Sequence, residues 1–146
     1  MGFDLTAKNN RVGEKGYFRA NVYQMILLRT SMLAAGVDEN LVYGKFVGND
    51  GLFVTALQSR KIAGSLAAWL TRRKLTVHLS ERNELANRSN EVYFEVIRQV
   101  GGREDKRILK QFLDGKPLPF KLDSRARKVV RAFADFSSRS GGFWVS

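Results

Sequence analysis

Apolar positions along this chain recur mostly at helical spacing. Phe18, Val22, Met25, Met32 and Leu33 share a stripe that Arg29 also joins, and Ile26, Leu27 and Leu28 thicken it until little polar face remains. The pattern predicts a buried central helix that begins near Tyr17 and is stopped by Gly36. Before it, residues 2–6 read as a short extended segment and 8–16 as a polar loop containing glycine. Residues 38–46 fit a short helix or a turn, and Gly48-Asn49-Asp50-Gly51 marks a tight turn.

Thr55 with Gln58 three residues on forms a capping box, and the helix it opens places Ile62, Leu66, Trp69, Leu70 and Arg73 on one side before closing in Arg72-Arg73-Lys74. Leu75–Leu79 alternates enough for a strand, although an extended loop fits too. Ser80, with Glu81 and Glu84 behind it, suggests a further helix start. The run 92–97 suits strand or helix, and Gly101-Gly102 as a stop signal favours helix. Glu104 and Asp105 open another short helix, with Ile108, Leu109, Phe112 and Leu113 inward and Asp114-Gly115 as its end. The last helix is the sharpest: Asp123 or Ser124 caps it, Ala126, Val129, Val130, Phe133 and Phe136 make one stripe, and Arg127, Lys128, Arg131 and Asp135 oppose it. Residues 142–145 resemble 2–5 in length and apolar content, so the two ends are expected to pair as an antiparallel ribbon. The expected fold is mainly α, a single compact helical domain over residues 1–146 with about five helices and that small ribbon.

A chain of 146 residues suits one domain of ordinary size. It has no cysteine and one histidine, His78, which excludes disulfides, thiolate catalysis, sulfur zinc sites and any histidine pair within the chain. No apolar run approaches a membrane span and no signal sequence opens the chain, so a cytoplasmic location is expected. Charge changes the picture most. Residues 1–59 carry six Lys or Arg against five Asp or Glu, whereas residues 60–146 carry nineteen against nine, so nearly all of the net +11 lies in the second part. Fifteen of the 25 cations are arginine, whose planar fork grips phosphate bidentately. A polyanion is the natural partner, DNA or RNA first among them.

Three groups of cations sit at helical spacing or helix ends: Arg72, Arg73 and Lys74; Arg103, Lys106, Arg107 and Lys110, partly cancelled by Glu104 and Asp105; and Arg125, Arg127, Lys128 and Arg131. Each also has a plain structural reading, as a solvated face or as cations set against a helix dipole. Among Trp69, Tyr93, Phe94, Phe120 and Trp144, Trp144 is the best candidate for stacking an unpaired base, since it follows two glycines near one end. His78, between Val77 and Leu79, reads as structural. Glu104-Asp105-Lys106 and Asp114-Gly115-Lys116 echo half of a metal-dependent nuclease motif, with Glu91 or Glu95 the convenient second acid, a pattern common by chance. Asn49-Asp50-Gly51 lacks the spaced oxygens of a calcium loop. No metal, cofactor or catalytic residue is assigned.

The opening Gly2-Phe3-Asp4, the block Gly16-Tyr17-Phe18-Arg19-x-Asn21-Val22, the Asn49-Asp50-Gly51 turn and the closing Phe133-Ala134-Asp135-Phe136-x4-Gly141-Gly142-Phe143 together resemble a group of small proteins of bacteria and their phages that carries no assigned activity. The resemblance implies a compact fold whose ends meet and a bacterial or phage source, and it implies no catalytic residue. After the Asn, where that group has a Trp-rich run, this chain has Tyr23-Gln24-Met25-Ile26, and residues 72–120 fall outside the likeness. The sequence thus points to a non-enzymatic basic nucleic-acid-binding protein. The rival readings are an interaction protein or phage-type inhibitor that docks on an acidic surface of a host defence protein, and a metal-dependent nuclease.

Overall fold

Alternation, not helical spacing, governs the start of the chain. Phe3, Leu5 and Ala7 are buried while Gly2 and Asp4 are exposed, the period of a strand with one face on a core. The structure, a computed structural model, describes residues 2–11, 16–48, 50–79, 90–99, 106–113 and 118–146. Within them run β1 (Gly2–Ala7), β2 (Tyr17–Asn21), α1 (Val22–Ala34), α2 (Glu39–Lys45), β3 (Leu52–Val54), α3 (Ala56–Leu70), β4 (Thr76–Leu79), α4 (Asn90–Gln99), α5 (Lys106–Leu113), β5 (Leu118–Lys121), α6 (Ser124–Arg139) and β6 (Phe143–Val145). The strands form a four-stranded antiparallel sheet in the order β2-β1-β6-β3 and a separate antiparallel pair, β4-β5.

The mainly helical class expected from sequence is therefore corrected to a mixed α/β fold. Three strands account for the difference. Tyr17–Asn21 is β2 and not the first turn of the central helix, because Asn21 is itself an N-cap: its side chain accepts from Gln24 N at 2.7 Å and Gln24 Oε1 accepts from Asn21 N at 2.9 Å. β3 and β5 are three and four residues long, and each exists only through its partner strand. The two ends of the chain do lie side by side, but as the inner strands of a sheet, with β6 between β1 and β3. The helix start expected at Ser80, the Gly101-Gly102 stop and both nuclease half-motifs fall outside the described residues, apart from Lys106 at the start of α5.

The inner face of the sheet closes on the helices. Phe143 contacts the rings of Phe46 and Phe136, with centroids 6.0 and 5.4 Å away, and Phe133 meets Phe46 and Phe18 at 6.0 and 5.7 Å. This aromatic cluster joins α6 and the end of α2 to β6 and β2. Arg29 is fully buried beside it and donates from Nη1 to the Phe46 carbonyl at 2.7 Å, which satisfies a charge that sits in the apolar stripe of α1. The opposite face leaves Asp4, Tyr17, Arg19 and Trp144 open to water. Gly142, at φ 101°, lets β6 begin: a Cβ there would lie 2.8 Å from the ring of Phe53, which covers that position.

Candidate nucleic-acid interface

The end of α3 and the start of α6 are locked together. Thr71 caps α3 and its Oγ1 donates to the Ala68 carbonyl at 2.7 Å, after which the chain turns through Arg72, Arg73 and Lys74 into β4. Leu122 N donates to the Leu75 carbonyl at 2.9 Å, which continues the β4-β5 pair up to the Asp123 cap of α6. Arg127 Nη2 then donates to the Arg73 carbonyl at 3.0 Å. One turn along, Arg131 joins Leu70 and Thr71 in the lining of a groove of about 340 Å³ between α3 and α6. Two separate contacts thus bring the start of α6, through Arg127 and Arg131, against the end of α3 and the Arg72-Arg73-Lys74 turn that follows it. Sequence reasoning named both groups without being able to join them.

Among the described residues, three acids of α4, α6 and its cap have partners. Asp123 accepts from Ala126 N at 2.7 Å, and Asp135 pairs with Arg139 at 2.8 Å although Arg131 lies equally close along the helix. Glu95 accepts from Arg98, and that bond, with a second from Gln99, holds its carboxyl below the usual carboxylate range. Arg72, Arg73, Lys74, Lys128 and Arg131 are all exposed, and Asp135 shares the groove with Arg131 while pairing with Arg139.

Two of the expected binding residues make hydrogen bonds within the fold. Arg125 donates to the Gln99 side chain and to the Arg98 carbonyl, both at 2.9 Å, and so caps the C-terminal end of α4 where cations are favoured. Arg127 is half-buried, not on the fully solvated face expected for it, because it turns toward α3. Lys106, Arg107 and Lys110 are placed by α5, which packs on α4 and β5. Arg103 lies outside the described residues. Sequence reasoning missed Lys121, exposed on β5 opposite Thr76 and next to the locked turn; its signal was the strand that the Leu118-Pro119-Phe120-Lys121 run conceals.

Trp144 is elsewhere. It stands on the outer face of the four-stranded sheet, 41% exposed, with its ring 4.7 Å from that of Phe53. The neighbouring Phe143 points to the inner face where α6 packs, so the sheet separates Trp144 from the helical cations. His78 is exposed on β4 opposite Pro119 and is not the satisfied structural histidine expected. Among the described residues no group of three or more His, Cys, Asp or Glu could hold a metal ion, and no helix is long and apolar enough to cross a membrane. No protein-family model, curated protein or solved structure matches the chain.

Proposed function

We propose that the protein is a non-enzymatic nucleic-acid-binding protein, of the bacterial or phage group its sequence resembles, that grips phosphates with the surface where α3 ends and α6 begins. The observation that carries this reading is the Arg127–Arg73 hydrogen bond together with Arg131 beside Thr71, which merges two cation groups distant in sequence. Arg72, Arg73, Lys74, Lys128 and Arg131 are the phosphate ligands. Arg125 and Arg127 are the positioning residues that hold α4 and α3 against α6. Such a surface recognises charge and spacing, so binding is sequence-tolerant and releases counterions.

The test is the variant R73A/K128A/R131A against wild type, measured with a labelled duplex at low and at physiological salt. Arg73 contributes its carbonyl to the fold, which alanine retains. Loss of affinity and a shallower salt dependence in a normally folded variant support the reading. Wild-type affinity in the variant removes this surface from the site, and magnesium-dependent cleavage of the duplex replaces the binding role with a nuclease.

A further inference from the structure

The outer face of the four-stranded sheet carries a line of rings that the helical surface lacks. Tyr17 pairs across strands with Thr6, Thr6 with Trp144, and Trp144 with Phe53, so all four side chains stand in one row running over β2, β1, β6 and β3. Tyr17 is 47% and Trp144 41% exposed, while Phe53 braces Trp144 from the side and fills the space over Gly142. Tyr17 and Trp144 are two strands apart, about 10 Å.

The rest of this face is polar. Its other outward positions are Gly2, Asp4 and Lys8 on β1 and just beyond it, and Arg19 and Asn21 on β2. Lys8 N donates to the Gly142 carbonyl at 2.8 Å in the same register, which sets Lys8 on one side of the aromatic row, with Arg19 on the other. The Arg19 side chain is 81% exposed, and its contact with Asp4 at 3.2 Å is of the surface kind that exchanges readily for another anion. Rings flanked by cations suit a ligand that alternates flat π-faces with negative charge. Here cations and hydroxyl or amide groups lie between and beside the rings.

We infer that this face is a stacking platform for unpaired bases, with Tyr17 and Trp144 each seating one base and Arg19 and Lys8 meeting the phosphates on either side, which makes the ligand a single-stranded nucleic acid. The inference rests on the nucleic-acid reading above and adds to it: the α3–α6 surface meets the phosphates of duplex or single strand alike, and this face takes only strands with free bases. An open four-stranded sheet with aromatic residues in line is the device by which RNA-recognition modules stack two or three bases, reached here with a different strand order. Every base has a π-face, so the platform is tolerant of sequence.

The experiment compares labelled oligo(dT), oligo(rU) and a duplex of equal length on the full chain, with Trp144→Leu, Trp144→Phe and Tyr17→Ser, each checked for an unchanged melting temperature. Trp144→Leu is expected to weaken single-strand binding about 5- to 100-fold. Tyr17→Ser should weaken it to a similar or smaller degree, Trp144→Phe should restore most of it, and duplex affinity should stay within about twofold of wild type. Single-strand affinity unchanged in a folded Trp144→Leu, or lost equally for strand and duplex, overturns the platform and leaves the α3–α6 surface standing. Wild-type binding to duplex but not to either single strand does the same, and this face then becomes a protein-docking surface. Binding to no oligonucleotide at all overturns both readings.

Discussion

The α3–α6 flank and the outer face of the sheet offer a polyanion different things. The flank carries Arg72, Arg73, Lys74, Lys128 and Arg131, with Asp123 and Asp135 partnered, and its groove is lined by Ala63, Ala67 and Leu70 with no ring among its lining residues. The sheet face presents Tyr17 and Trp144 with Lys8, Arg19 and a partly compensating Asp4. In the proposed reading, the first surface meets phosphates and the second meets bases. Positive charge alone cannot tell a duplex from a single strand, because both carry phosphates; stacking can, because only unpaired bases expose a π-face. Since α6 packs against the inner side of the same sheet whose outer side holds Trp144, the two surfaces are held by one core.

That shared core sets the largest expected effect. Phe143→Ala removes a fully buried ring that touches Phe46, Phe133 and Phe136, and should cost about 3–5 kcal/mol. Deleting 143–146 takes out an inner strand and should abolish folding, as read by the loss of a cooperative melt. Survival of either binding activity in the deletion would show that the two surfaces do not depend on one core. Next comes the flank itself: R73A/K128A/R131A should lower duplex affinity about tenfold or more and reduce the salt slope by about one unit per lost phosphate contact, with a change in stability within about 0.5 kcal/mol. Single-strand binding should retain its dependence on Trp144 in that background.

Arg127→Ala separates positioning from contact. It removes the hydrogen bond to the Arg73 carbonyl and should cost about 1 kcal/mol in thermal or urea unfolding, where truncating the exposed Lys128 should cost almost nothing. The smallest effect concerns Glu95. Its carboxyl is held below its ordinary range chiefly by Arg98, so its ionised form favours the fold; that contribution is complete above the ordinary carboxylate value and fades as pH falls through the lowered one. Glu95→Gln should melt slightly below wild type near neutral pH and match it in acid. A gap that widens in acid would contradict the pairing.

Much of this was legible where a local signal coincided with a long-range one. Thr55 and Asp123 were readable caps because each precedes a sharply amphipathic helix, and the structure has both, accepting from Gln58 N at 3.1 Å and Ala126 N at 2.7 Å. β2 was hidden because Phe18 and Ala20, two apart, run straight into the helical stripe of α1, and Asn21-x-x-Gln24, the signal that divides them, sits inside an apolar stretch. β5 was hidden by Pro119, which a two-stranded pair tolerates at its edge. For the site, cation identity was readable and convergence was not: Arg73 and Arg127 are 54 residues apart in the chain, and the β4-β5 pair returns one to the other. Trp144 was singled out from its neighbourhood of glycines, but its cross-strand row with Tyr17 depends on a register no single segment encodes.

The most direct measurement is the affinity of the wild-type chain for a labelled duplex across a series of salt concentrations. The five proposed phosphate ligands on the α3–α6 flank predict that log affinity falls against log salt with a slope of about −4.5. A slope near zero, or no binding at low salt, would contradict the account and leave the arginines as a solvated surface.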